Sequence, residues 1–347
     1  MRILFAIQGT GNGHLSRAAQ IYPFLRAYGQ IDVLVSGTEH TLKPSFPVRF
    51  HYKGLGFAFG HKGGINYIKT YRDARIWKFL KSVDEVPVRN YDLIINDFEP
   101  ITAWACRLRE VPIVALSHQS ALIKPGVPKP ATPDLAADMV LRYYAPAAES
   151  VGFHFESYHH NIFTPVIRQE LYLIRPKQCN HLTVYLPAYA VDQLSQILPV
   201  IKGMKWQIFA RVRHRMELRP DISVFPVDSQ SFVKSMSSSS GVLCGAGFET
   251  PAEAFHLGIP LLVVPMRGQY EQECNAAAIE KIGAKVIWKS SAFDAASITQ
   301  WVEERKKIQL EYPNIIKPAL ERVMELYKNQ PATPASQWPG LKSLLAG

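Results

Sequence analysis

The sequence predicts an α/β protein of two domains that face each other across a cleft. Three observations predict it. Short apolar runs alternate with helix-length segments through both halves, the pattern of βαβ units on a parallel sheet. A glycine-rich turn follows the first apolar run and opens a helix, and a comparable turn recurs at residues 245–247. The chain, at 347 residues, is long enough for two separate cores.

The elements follow in order. Residues 2–7 are an apolar run suited to a buried first strand, and a helix is expected from about 14 to 28. Further strands are expected at 31–35, 91–96 and 112–117. The last two lead into Asp97-Phe-Glu-Pro and into His118-Gln119. Residues 124–133 hold four prolines in ten and read as a loop. Residues 1–163 form the first domain, 164–180 a connection without clean periodicity, and 181–314 the second domain. Strands in the second domain are expected near 181–186, 206–211, 223–227, 241–244, 260–264 and 285–288. A last helical stretch, 315–327, has the length to pack back on the first domain before a proline-containing tail.

Composition narrows the class. An apolar fraction of 47% with 20% charged residues is that of an ordinary globular protein. The four cysteines lie far apart with no CxxC, which disfavours a disulfide framework or zinc site and fits a reducing cytoplasm. The opening apolar run is too short for a signal peptide, and no run reaches the ~20 residues of a spanning helix. The net charge of +10 divides evenly about residue 163. An even excess argues against a basic nucleic-acid tail and is compatible with anionic substrates or an anionic membrane face. Residues 53–83 mix aromatic and basic side chains, as a helix with one core face and one basic face would, or a flap meeting an apolar acceptor or a membrane surface.

Ligands of parallel sheets sit beyond the carboxyl ends of the strands, so the turns named above should converge. Gly9-Thr-Gly-Asn-Gly-His14 offers backbone at Gly11, Asn12 and Gly13 and places His14 at a helix start. The pattern is not the G-x-G-x-x-G of a dinucleotide site, and the second strand ends without an acidic residue. His14 is the candidate general base, since imidazole titrates near working pH and a helix start disfavours its charged form. Asp97 is the candidate to orient it, Glu99 the alternative, and His118 falls at a neighbouring strand end. In the second half, Gly245-Ala246-Gly247-Phe248-Glu249-Thr250 reads as a phosphate turn at a helix start. Glu253 follows in the same helix, placed for ribose hydroxyls. Glu271, Gln272 and Asn275 supply groups suited to a sugar, and Arg211 is a candidate phosphate contact. No metal-binding pattern stands out.

These residues resemble the glycosyltransferases of the GT-B fold, which have two Rossmann-like domains facing across a cleft. The resemblance is to the group that includes UDP-glucuronosyltransferase-like enzymes and the N-acetylglucosaminyltransferase of peptidoglycan synthesis. It lies nearest a branch marked by G-T-G-N-G-H and D-F-E-P, and spans most of the chain. It implies metal-independent, inverting transfer of a sugar from a nucleoside diphosphate sugar, a UDP-sugar first, to a hydroxyl of a lipid or glycan acceptor, as in cell-envelope glycans. No cofactor beyond that co-substrate is implied. By this resemblance His14 is the base, Asp97 its partner, residues 245–250 the diphosphate cradle, Glu253 the ribose ligand and Glu271-Gln272 the sugar ligands. The chain departs from the glucuronosyltransferase type where a phosphate-touching histidine is usual; Cys244 or Gly245 stands near its place. Two other readings remain: a non-hydrolysing UDP-sugar 2-epimerase, for which Glu99 would be an acidic group in the cleft, and a non-catalytic nucleotide-sugar or glycolipid-binding protein. A cytoplasmic protein, peripheral to the inner face of the membrane if bound to it, is the expected location.

Overall fold

A computed structural model describes residues 1–37, 44–54, 76–132 and 134–330. It contains two seven-stranded sheets. The first is built from β1 (Arg2–Gln8), β2 (Gln30–Ser36), β3 (Phe50–Tyr52), β4 (Leu93–Asp97), β5 (Ile113–Ser117), β6 (Glu149–Phe153) and β7 (Ile162–Phe163), in the order β3-β2-β1-β4-β5-β6-β7. Every pairing in it is parallel. The second uses β8 (His181–Tyr185), β9 (Lys205–Ala210), β10 (Met216–Arg219), β11 (Ile222–Pro226), β12 (Val242–Gly245), β13 (Leu261–Val264) and β14 (Lys285–Val286). Its order is β10-β11-β9-β8-β12-β13-β14, with β10 alone antiparallel. In both sheets the strand order reverses beside the first strand, between β1 and β4 and between β8 and β12. That reversal opens the crevice in which doubly wound sheets hold ligands.

The helices are α1 (Asn12–Leu25), α2 (Ile76–Glu85), α3 (Pro100–Arg109), α4 (His118–Leu122), α5 (Leu135–Tyr143), α6 (Val191–Ile197), α7 (Ser229–Ser237), α8 (Glu249–His256), α9 (Tyr270–Ile282), α10 (Ala295–Glu304) and α11 (Ile316–Lys328). The anticipated strands are present within a residue or two. The short β3, β6 and β7 and the hairpin strand β10 had no clear signal in the sequence. Most of the aromatic and basic stretch at 53–83 lies outside the described residues. Its end forms α2, where Phe79 packs inward and Trp77 is exposed.

Strand alternation divides the cores. Ile3, Phe5 and Ile7 of β1 point to one face, while Leu4 and Ala6 point to the other. The first face belongs to an apolar cluster that continues into the second half through Val242, Phe248 and Phe255. Helix α11 joins it with Ile316, Ala319, Leu320 and Val323, a stripe at helical spacing, and lies against α1, β5 and β6. Arg322 fixes the helix there, donating from Nε to Asn161 Oδ1 at 2.8 Å. The halves are thus joined by shared apolar burial on one side and meet across a cavity on the other.

Candidate active site

The cavity, about 900 Å³, lies where the strand ends of the two sheets face each other. Five helices begin at it: α1, α4, α6, α8 and α9. The starts of α1, α8 and α9 have no side-chain cap, whereas Ser117 caps α4 and Gln193 Oε1 accepts from Ala190 N at 3.2 Å at the start of α6. Helices α3, α4, α5, α7 and α10 are each capped, by Glu99, Ser117, Asp134, Asp228 and Asp294. The first N–H groups of a helix need an acceptor, and its dipole favours negative charge there. Uncapped starts gathered at one cavity are therefore places for an anionic ligand. Gly11 and Gly247 open on free space there, so that a ligand can approach the backbone at the starts of α1 and α8.

On the first-half side stands a dyad. His14 Nδ1 lies 2.9 Å from Asp97 Oδ1. An ionised carboxylate only accepts, so Nδ1 carries the proton and Nε2 is left as the basic nitrogen. Asp97 reaches this position because β4 ends at it and Phe98 turns the chain with a left-handed φ of 55°. That is an uncommon conformation for an aromatic residue. Asp97 is fully buried. Burial alone would push its carboxyl up, but the Arg17 guanidinium, and then His14, hold it below the usual carboxylate range. Arg17 Nη2 donates to both Asp97 oxygens at 2.7 and 2.9 Å, and its Nη1 donates to Glu249 at the start of α8. Burial by itself would lower the Arg17 pKa, and these two carboxylates raise it above its ordinary value.

On the other side of His14, Gln119 Nε2 lies 3.3 Å from Nε2 and donates to Glu271 Oε2 at 3.0 Å. His118, buried next to it, stacks on Phe248 with ring centroids 3.9 Å apart and has Nε2 2.7 Å from Asn275 Oδ1. Burial pushes the His118 imidazole below its ordinary value. Arg17–Glu249, Gln119–Glu271 and His118–Asn275 thus each join the two halves across the cleft.

Of the residues singled out from the sequence, Gly11, Asn12, Gly13, His14, His118, Arg211, Gly247, Phe248, Glu249, Glu271 and Gln272 line the cavity. Gly245, Ala246 and Thr250 belong to the turn but not to the lining. Cys244 faces the core, where burial pushes its thiol well up. Three assignments need correction. Glu99 does not reach His14; its carboxylate caps α3, accepting from Ile101 N and Thr102 N at 2.8 and 2.7 Å. Glu253 does not face the cavity; it is buried against Arg168, whose Nε and Nη2 lie 2.6 and 2.5 Å from its oxygens. Asn275 is buried too, donating to Ala246 O at 3.0 Å while it meets His118. Arg17 and the aromatic residues Tyr185, Tyr189 and Phe209, which also line the cavity, were missed, as was Arg168 as the partner of Glu253, whereas Gln119, named with His118 at its strand end, does line it. Arg17 carries a readable signal, one helical turn after His14, because residues at i and i+3 share a face. Among the described residues no cluster of three or more potential metal ligands occurs, and no helix is long and apolar enough to cross a membrane.

Two Rossmann-like halves with opposed strand ends and a cleft between them have the GT-B architecture, and the comparisons with known proteins give the class, a glycosyltransferase. The chain belongs to the family described as Glycosyl transferase family 1, which it matches over residues 1–305. A curated relative, an uncharacterized glycosyltransferase of Methanosarcina mazei, is 24% identical over 329 residues, covering 82% of this chain and 84% of that protein. Among solved structures, a UDP-glucosyltransferase from Polygonum tinctorium superposes with a TM-score of 0.58 at 13% identity, covering 94% and 93% of the two chains. MurG from Acinetobacter baumannii does so with a TM-score of 0.54 at 17% identity, covering 95% and 99%. At these identities the structural likeness speaks for the fold.

Proposed function

We propose that the protein transfers a sugar from a nucleoside diphosphate sugar, a UDP-sugar first, to an acceptor hydroxyl with inversion at the anomeric carbon, His14 acting as the base. The observation that carries this reading is the dyad itself: a histidine whose Nδ1 is 2.9 Å from a buried carboxylate, set in a cavity where three uncapped helix starts converge. In this scheme His14 Nε2 takes the proton of the acceptor hydroxyl as its oxygen attacks the anomeric carbon. Asp97 holds the ring in orientation and stabilises the imidazolium that forms. The bond from the anomeric carbon to the diphosphate breaks, and the leaving charge is taken up by the N–H groups at the start of α8. Arg211 lines the same cavity and is the nearby cation for that charge. Glu271 and Gln272 face the sugar from α9. The wall of Tyr185, Tyr189 and Phe209 offers ring faces for the nucleoside. The part first given to Glu253 passes from it, because Arg168 occupies both of its oxygens.

The 2-epimerase reading loses its candidate acid, since Glu99 is a helix cap. A lipid or glycan acceptor and a peripheral place at the inner membrane face remain part of this proposal. Thermal-shift measurement with UDP-, GDP- and dTDP-sugars tests the donor. Stabilisation by UDP-sugars but not GDP-sugars is expected; the absence of a shift with any nucleotide would overturn the donor reading.

A further inference from the structure

We infer that Glu249, on the second half, is a positioning residue that sets the basicity of His14 through Arg17, and does so only while the two halves are closed on each other. The inference rests on His14 being the base.

A lone carboxylate beside a histidine favours the imidazolium and so strengthens the base. Here Asp97 is not alone: Arg17 Nη2 is bonded to both its oxygens and lies 3.1 Å from His14 Nδ1. With Asp97 and Arg17 only, the field at His14 is that of a neutral pair, and much of the benefit of the dyad is cancelled. Glu249 restores it. Its carboxylate, which is partly exposed to the cavity, pairs with the other arm of Arg17, so the cluster of Asp97, Arg17 and Glu249 carries one net negative charge. Asp97 and Arg17 come from the first half, but Glu249 is the first residue of α8 in the second. Separating the halves removes the third charge and returns the cluster to neutrality.

The approach is built into the backbone of the first half. A Cβ on residue 13 would stand 2.6 Å from Glu249 Oε2, so a side chain at that position would displace the carboxylate from its place over α1. The other charged and titratable groups facing the dyad are Glu271 of α9, which reaches it through Gln119, His118 of α4, whose imidazole burial pushes below its ordinary value, and Arg211 beyond the end of β9. Closure of the cleft over a donor therefore also brings the base to strength.

The test is the pH dependence of kcat/KM for transfer, read as release of nucleoside diphosphate. Glu249→Gln keeps an acceptor for Arg17 but removes the charge, and the acid limb should move to lower pH by on the order of 0.5–1 unit. Arg17→Met leaves two uncompensated carboxylates, and the limb should move to higher pH. Opposite displacements are what a change of packing alone would not produce. A limb that stays in place or moves upward in Glu249→Gln overturns the inference, as does displacement of both variants in one direction. Should Arg17→Met fail to fold, the sign in Glu249→Gln decides alone. A His14→Ala variant that keeps the acid limb would instead sink the reading of His14 as base.

Discussion

Arg168 closes on Glu253 with two nitrogens, Nε at 2.6 Å and Nη2 at 2.5 Å, and the pair is buried between the interdomain connection and α8. Burial raises the cost of the Glu253 charge and holds its carboxyl above the ordinary value, and Arg168 offsets part of that cost. Arg168 is steadied in turn by Ser229, whose Oγ accepts from Nη1 at 3.0 Å. The connection between the halves is therefore tied to the helix that opens on the cleft.

Removing one partner of this pair should act on stability. Glu253→Ala leaves a buried guanidinium without its anion and is expected to lower unfolding free energy by about 3–5 kcal/mol. Urea denaturation of Glu253→Ala and of the double variant with Arg168→Met measures it. The double variant should recover part of the loss, because no charge is then left unpaired. If Glu253→Ala unfolds like wild type yet has lost its affinity for nucleotide, Glu253 is a ligand contact after all.

Gly247 separates binding from folding. Its missing side chain would project into open space, so Gly247→Val should change stability by less than about 1 kcal/mol. The same methyl groups would stand between a diphosphate and the start of α8. Titration calorimetry with UDP should show affinity falling by about tenfold or more. Unchanged affinity would remove that helix start from the donor site.

Asp97 predicts an acid limb of stability. Its folded pKa lies below the usual carboxylate value, so between the two the unfolded chain binds the proton and the native protein does not. The contribution is present above the unfolded value, about 4, and is lost as pH falls toward the folded one. The gap in unfolding free energy between wild type and Asp97→Asn should narrow as pH drops below about 4. Chemical denaturation of both proteins at a series of pH values reads this directly, and a gap that is constant or widens on acidification contradicts it.

Gln119 is expected to act on turnover rather than on nucleotide affinity. Its Nε2 lies 3.3 Å from His14 Nε2, where an acceptor oxygen must stand, and also donates to Glu271. Gln119→Leu cannot hold Glu271 and should lower kcat by about tenfold or more while leaving the Kd of free UDP within about twofold. A parallel loss of UDP affinity would place Gln119 at the nucleotide instead.

The strand ends and the glycine turns were legible in the sequence because alternation and helix starts are local signals. The same signals brought His14 near Asp97, since parallel sheets expose their turns at one edge. What escaped was pairing between distant segments. Nothing near Arg168, inside an aperiodic connection, announces that it will meet Glu253 one domain later. Glu99 and Asp97, two residues apart at one strand end, look equivalent until the left-handed turn at Phe98 sends one to His14 and the other to the N–H groups of α3. Gly13 could be seen as part of a cradle, but not that a carboxylate of the other half rests on it.

The central claim is that His14 takes the acceptor proton. Its most direct test is His14→Ala, assayed for nucleoside diphosphate release from a UDP-sugar in the presence of acceptor, with UDP binding to the same preparation measured by calorimetry. Release should fall by about 100-fold or more, the scale of general-base catalysis, while the Kd for UDP stays within about twofold of wild type. Transfer at a wild-type rate in His14→Ala would contradict it.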